Sequence, residues 1–284
     1  MKYKIILIIL FTFISFSIHA DEKAYKMVFV PASEKGDEND YTSLIAITEK
    51  LTGLSIETIK VTDYNAAVEA MRAGRAHIAW YGGETYVKAA EIANAEAFAA
   101  GVRPGEKDAG YFTYFIVKKN STLKEFKDIK GKILSLNTIG STSGDLIPQV
   151  ELNKINLSIK NKEDFKNVFY AGSHDACLLS VINNQADVCG MSSRNFEARL
   201  DDGTIKLEDV RIIHKSDRVP PPPLAYSKSI PLEDRLKIKK AILDAHNHGE
   251  IGGYGGKMSH YIEVKDSDYN VLRDVIELLK KNKS

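Results

Sequence analysis

A chain of 284 residues that is 44% hydrophobic and 27% charged, with a formal net charge of +1, has the composition of a folded globular protein, long enough for one large domain or two smaller ones. The near-balance of 39 Lys and Arg against 38 Asp and Glu excludes the strong cationic field that gathers nucleic acid or anionic membrane. Two cysteines, Cys177 and Cys189, make no disulfide framework. Both stand in apolar runs, and the reading leans to unpaired core thiols, with a disulfide left open for an oxidising compartment.

The first twenty residues read as a targeting signal. Met1-Lys2-Tyr3-Lys4 is basic, residues 5–18 are almost wholly apolar, and Ala20 precedes the polar Asp21-Glu22-Lys23. That is the three-part pattern of a secretory signal peptide cleaved near Ala20. The apolar run is shorter than the ~20 residues of a spanning helix. No cysteine follows the cleavage region to carry a lipid anchor, so the mature chain is expected to be exported and periplasmic.

Beyond the signal, strand and helix alternate. Residues 25–30 read as a strand, 41–52 as a helix stopped by Gly53, 55–61 as a strand, and 64–73 as a helix capped by Asp63 and ended by Gly74. A buried strand at 76–81 runs into Gly82-Gly83. A helix at 84–94 and a strand near 97–102 follow. This is the pattern of a parallel sheet covered on both faces. Residues 110–119 are strongly β. A new series then begins: strand 132–136, a helix opened by Ser141, strand 167–170, helix 174–183, strand 186–189, helix 193–200 and strand 210–214. Four consecutive prolines, 220–223, cannot lie in a helix and pair poorly in a central strand, so they read as a stiff crossing between lobes. Helices at 232–246 and 266–281 flank a glycine-rich turn. The expected division is signal 1–20, one lobe from 21–117 plus 225–284, and a second from 118–224.

Within the second lobe, Gly140-Ser141-Thr142-Ser143-Gly144-Asp145 follows the strand at 132–136 and opens a helix. Three small hydroxyl residues between two glycines let the backbone approach a ligand. The unpaired N–H groups and dipole of the helix start would attract an anion there. Taken alone, the same residues describe an ordinary helix cap.

The chain resembles the periplasmic phosphonate-binding proteins of ABC importers, a branch of the type II solute-binding proteins. The resemblance runs along nearly all of the mature chain. It rests on Leu51-Thr52-Gly53, Asp63-Tyr64, Glu69-Ala70-Met71-Arg72-Ala73-Gly74, Ile78-Ala79-Trp80-Tyr81-Gly82 and Gly110-Tyr111. Ser141-Thr142-Ser143-Gly144, Gly172-Ser173-His174-Asp175 and Gln185-Ala186-Asp187-Val188 complete it. Each motif is short, and their order and spacing carry the match.

The resemblance implies an α/β protein of two lobes, each a mostly parallel sheet flanked by helices, joined by two hinge crossings and closing over an anion. It implies that Ser141, Thr142 and Ser143 give hydroxyls and N–H groups to phosphonate oxygens, and that His174 donates to the same group. Tyr81 and Tyr111 fall where the family sets tyrosines against the ligand. Where aminoalkylphosphonate binders hold an ammonium with acidic residues, this chain carries Arg194 and Pro222. A phosphorus oxyanion without an amine is therefore expected: phosphite, phosphate, methylphosphonate or a small carboxylated phosphonate. A surface arginine on a polar helix start is an equal alternative reading of Arg194.

The implied role is capture of that oxyanion for an inner-membrane ABC permease, by a monomer that needs no cofactor, metal or nucleic acid. A sensor for a membrane kinase or chemoreceptor is the alternative on the same fold. An exported phosphoester hydrolase is disfavoured, since no HExxH, paired CxxC or GxSxG stands in the chain.

Overall fold

A computed structural model of the chain describes residues 24–33 and 37–281; the signal-peptide reading falls on residues outside these. In chain order the first half comprises β1 (Tyr25–Phe29), α1 (Asp37–Asp40), α2 (Thr42–Thr52), β2 (Ile56–Ile59), α3 (Tyr64–Arg72), β3 (Ile78–Trp80), α4 (Gly83–Ile92), β4 (Ala95–Val102) and β5 (Thr113–Lys118). There follow β6 (Ile133–Leu136), α5 (Ile147–Lys154), β7 (Asn167–Tyr170), α6 (His174–Ile182), β8 (Val188–Ser192), α7 (Ser193–Asp201) and β9 (Val210–Lys215). The chain closes with β10 (Leu224–Ser227), α8 (Leu232–Asp244), the short strands β11 (Ile251–Gly253), β12 (Gly256–Met258) and β13 (His260–Glu263), and α9 (Asn270–Lys281).

Two main sheets organise these elements, in the orders β13-β4-β10-β3-β1-β2 and β7-β6-β8-β5-β9. The βαβ units make parallel pairs, β1 with β2 and β3, and β6 with β7 and β8. Strands that enter a sheet after crossing from the other lobe run the opposite way: β10 is antiparallel to β3 and β4, and β5 to β8 and β9. The central strands β3, β8 and β10 are buried along their whole length, as strands covered on both faces must be. In β5 the period of two divides the second lobe's core. Phe115 and Val117 pack with Leu134, Leu152 and Phe165 on one face, and Ile116 with Cys177, Leu178, Cys189 and Met191 on the other.

Local signals set the helix limits as expected. The Asp63 side chain accepts from the Ala66 N–H at the start of α3, and Gly53 ends α2 in the left-handed region at φ 71°, where a side chain would be strained.

Four features depart from the sequence reading. First, β5 belongs to the second sheet, so the first crossing lies before Thr113 and not near residue 117. Second, β10 follows the prolines directly and β13 precedes the last helix, and neither had been expected as a strand. Third, the glycine-rich turn is a hairpin, β11 paired with β12. Fourth, Cys177 and Cys189 form a disulfide between α6 and β8, with their Cα atoms 5.6 Å apart. Apolar neighbours foretold their burial; they carry no information on whether the helix face and the strand beneath it bring the two sulfurs together.

The two crossings pair with each other. Tyr111 and Val219 exchange backbone hydrogen bonds of 3.2 and 2.8 Å. The prolines that follow cannot donate, but their carbonyls accept. Pro223 takes the Tyr81 N–H at 3.0 Å, and Pro221 takes the Tyr269 hydroxyl at 2.9 Å.

Candidate functional site

The carboxyl ends of β1, β3, β6 and β8 all open onto the cleft between the two sheets, which is where an open α/β sheet presents its ligand site. Beyond β6, the Asn137 N–H donates to the Gly144 carbonyl at 3.0 Å, closing a loop over residues 138–143. The Ser141 carbonyl accepts from both Asp145 N–H (2.8 Å) and Leu146 N–H (3.1 Å). The second of these spans five residues and makes a single wide turn, Thr142–Leu146, before α5 begins. Gly140 holds φ 90°, and a Cβ on Gly144 would stand 2.3 Å from Asn137 Cβ, so both glycines of the motif are required by geometry. The Asp145 carboxylate braces the loop, accepting from Gly140 N–H (3.1 Å), the Tyr170 hydroxyl (2.7 Å) and Gln149 Nε2 (2.7 Å).

Ser141, Thr142 and Ser143 are all buried. Ser141 Oγ accepts from Gly144 N–H and from Asn137 Nδ2, which commits its lone pairs and leaves its proton as a donor. Thr142 Oγ1 accepts the Glu84 N–H across the cleft at 2.8 Å, and Thr85 Oγ1 donates to the Gly140 carbonyl at 2.8 Å. The start of α4 therefore sits against the serine turn.

His174 is the first residue of α6, whose N-cap Ser173 accepts from Ala176 N–H. Its own N–H donates to the Ala32 carbonyl, three residues beyond β1. Its Nδ1 accepts the Ser192 N–H at 3.3 Å, which assigns the ring proton to Nε2 and makes that nitrogen a donor. Burial holds the imidazole neutral, its pKa lowered to about 3, since desolvation disfavours the charged form. Its Cε1 lies 3.0 Å from where a Cβ of Gly144 would stand, so the ring edge borders the turn.

Tyr111 is buried with its hydroxyl toward Ser143 and Thr142. Desolvation raises its pKa to about 12, against the hydrogen bonds of those two side chains and the charge of Arg194. It stays a neutral donor.

Two residues join the cleft that no site assignment from the sequence included. Tyr64 begins α3, its hydroxyl 3.5 Å from Asn137 Nδ2, with its ring against Gly82 and its Cβ against Gly140. Asn137 is fully buried and holds Ser141. The Asp63-Tyr64 pair had drawn notice as a helix start and as a motif of the resemblance, without a ligand role; Asn137 stands at a strand's carboxyl end, the one signal that marks it. The starts of α3, α4 and α6, with the turn before α5, thus converge on one buried cluster of neutral donors. Helix starts carry partial positive charge and unpaired N–H groups, so the arrangement suits a small anion.

A family described as the periplasmic substrate-binding protein of a phosphonate ABC transporter matches residues 27–269. The chain belongs to that phosphonate-binding family. The phosphonates-binding periplasmic protein of Escherichia coli (strain K12) is 30% identical over 229 residues, 78% of this chain and 66% of that one. The phosphate-import protein PhnD of Mycolicibacterium smegmatis (strain ATCC 700084 / mc(2)155) is 26% identical over 268 residues, 88% of this chain and 84% of that one. Among solved structures, a binding protein component of an ABC phosphonate transporter from Pseudomonas aeruginosa superimposes with a TM-score of 0.79 at 22% identity, covering 92% of this chain and 87% of the other. A Prochlorococcus marinus (MIT 9301) protein in complex with methylphosphonate gives 0.76 at 20% identity, over 92% of this chain and all of the other. The fold is the two-lobe, type II periplasmic binding protein fold.

Within this phosphonate-binding fold, two of the residues singled out by sequence lie away from the serine turn. The Tyr81 hydroxyl points into the first lobe's core, donating to the Ala67 carbonyl at 3.3 Å, and desolvation raises its pKa. Tyr81 follows the last residue of β3, and its hydroxyl lies against α3 rather than at the serine turn, where Tyr64 stands. Arg194 is no surface arginine: it is 1% exposed. Its Nη2 donates to Glu106 Oε2 at 3.0 Å and to the Ala109 carbonyl at 2.8 Å, and desolvation lowers its pKa. It lines a small cavity with Tyr41, Trp80, Pro222, Tyr254 and Tyr261, beyond Tyr111 from the turn.

Proposed function

We propose that this protein captures a phosphorus oxyanion lacking an amine (phosphonate, phosphite or phosphate) in the periplasm and passes it to an inner-membrane ABC permease. The observation that carries this reading is the convergence of three helix starts and the Ser141–Ser143 turn on one buried cluster of neutral donors. A dianionic head placed there takes hydroxyl protons from Ser141, Ser143 and Tyr111 and the Nε2 proton of His174. Because each donor is neutral, the anion supplies the charge that offsets the helix dipoles.

The relatives' ligands support the class: phosphonate is named for one, phosphate for another, and phosphite for a Prochlorococcus marinus (strain MIT 9301) protein 27% identical over 199 residues. None of the residues lining the cavity of Arg194 and Pro222 is acidic, and the Glu106 carboxylate is already engaged by Arg194 Nη2, which speaks against an ammonium tail. The protein acts as a monomer without cofactor, metal, catalysis or nucleic acid, after cleavage of its signal near Ala20.

Titration calorimetry of the mature protein with methylphosphonate, phosphite, phosphate and 2-aminoethylphosphonate tests this. Heat is expected from at least one of the first three, and weaker binding or silence from the amine. Silence from all four would overturn the ligand class.

A further inference from the structure

The cavity lined by Arg194 has a chemistry of its own. It is small, with room for a group about the size of one water, and is walled by Tyr41, Trp80, Pro222, Tyr254 and Tyr261. Trp80 Nε1 and Arg194 Nε are both buried, and neither has a hydrogen-bond partner among the described residues. Both residues line this cavity. A buried N–H without a partner is destabilising, so two around one void call for an acceptor between them.

The polar groups nearby are already engaged. The Tyr254 hydroxyl donates to Asn195 Oδ1, that of Tyr261 to the Gly252 carbonyl, and that of Tyr41 accepts the Tyr254 N–H. Arg194 Nη2 is held by Glu106 and Ala109, which fixes the guanidinium plane. Packed aromatic rings connect the cavity wall with the anion cradle. The Tyr111 ring stands edge-on to Tyr254, 6.2 Å between centroids, and Tyr254 packs on Trp80 at 4.7 Å, while the Tyr111 hydroxyl faces Ser143 on its other side.

Aromatic walls of this kind could equally suit a cation. The guanidinium in the same wall, with no carboxylate among the lining residues, decides against one.

We propose that this cavity is a distal subsite for one carboxylate oxygen of a carboxyalkylphosphonate, held by Trp80 Nε1–H and Arg194 Nε–H while the phosphonate lies in the serine turn. The inference rests on the proposed phosphorus-oxyanion reading. The subsite's donors complement a carboxylate and refuse an ammonium, so the ligand is charged negatively at both ends.

The test is calorimetry with methylphosphonate, phosphonoacetate, 3-phosphonopropionate and 2-aminoethylphosphonate, on the mature protein and on Trp80→Phe, which keeps the ring wall and removes the donor. One of the two carboxylated ligands is expected to bind roughly tenfold or more tightly than methylphosphonate. In Trp80→Phe the ratio of the two affinities is expected to fall several-fold. Arg194→Lys, which keeps the charge but loses the Nε donor, should lower the same ratio. Methylphosphonate binding with no advantage for either carboxylated ligand would mean that the void holds only a water, and would overturn the subsite while leaving the oxyanion reading intact. Tighter binding of 2-aminoethylphosphonate would overturn it too. Failure of all four ligands to bind would instead strike the reading on which it rests.

Discussion

Ser141 and Ser143 differ in what else their hydroxyls do, and that difference can be measured. Ser141 Oγ ties Asn137 and Gly144 together, whereas the Ser143 side chain has its contact with Tyr111 at the cleft. Ser143→Ala is expected to weaken methylphosphonate binding by about 1–3 kcal/mol, the usual loss for a donor to a charged oxygen, with little change in Tm. Ser141→Ala should lower affinity and thermal stability together. Calorimetry and thermal melts on both variants check this; equal Tm losses, or unchanged affinity in both, would remove the serines from the anion site.

His174 carries a pH signature at the same scale. Its folded pKa, about 3, lies below the unfolded value of about 6.5, so the unfolded state binds more protons between those limits. Stability contributed by the neutral ring is therefore complete above pH 6.5 and lost progressively as pH falls toward 3. His174→Gln lacks this component. The difference in Tm between the two proteins should shift in favour of the variant across that window, and parallel melting curves from pH 7 to pH 4 would contradict the buried neutral imidazole.

At the scale of elements, the signals written within a few residues were legible, and those that depend on distant partners were not. Asp63 and Gly53 announced their helix ends because caps are local. The serine turn was read as a strand end opening a helix, and it is one. Sheet membership is different: residues 113–118 are β in any context, and only their pairing with β8 and β9 assigns them to the second lobe. The prolines hid β10, whose first residue follows Pro223 directly, because a proline run argues against a strand although its carbonyls remain good acceptors. Tyr81 and Tyr64 both stood in motifs of the resemblance, and only their tertiary contacts, one phenol on the Ala67 carbonyl and the other beside Asn137, separate them. The disulfide was the least legible, since its closure is a contact between a helix face and a strand. It spans 12 residues of chain, for which the loop-entropy relation gives about 3 kcal/mol of stabilisation. Mild reductant should therefore lower the denaturant midpoint of the wild type but not of the Cys177→Ala/Cys189→Ala variant, and the two reduced proteins should melt alike. An unchanged midpoint on full reduction would refute a structural role for the bridge.

The whole molecule is held closed by a short list of polar contacts across the cleft. Besides the two hydrogen bonds of Glu84 N–H and Thr85 Oγ1 to the serine turn, His174 N–H reaches Ala32 and Tyr254 reaches Asn195. At the rim Arg103 pairs with Glu197 (2.6 Å) and Asp201 (3.0 Å). Asp201 is largely exposed, and exposed ion pairs contribute about 0–1 kcal/mol each, so the rim cannot keep the lobes together by itself. Against closure stand the like-signed helix starts of α3, α4 and α6, brought together in a buried space. An anion between them reverses that balance, binding the closed arrangement better than the open one and so shifting the population toward it. Small-angle scattering should accordingly show a larger radius of gyration for the unliganded mature protein than for the protein saturated with methylphosphonate. Thr85→Val, which removes the donor to Gly140 without touching the anion, should weaken apparent affinity several-fold through the closed state, in line with about 1 kcal/mol for one neutral hydrogen bond. It should leave the unliganded scattering profile unchanged. Identical radii with and without methylphosphonate, at concentrations where calorimetry shows saturation, would mean a preformed pocket in place of a clamp, and the effect of Thr85→Val would then vanish as well.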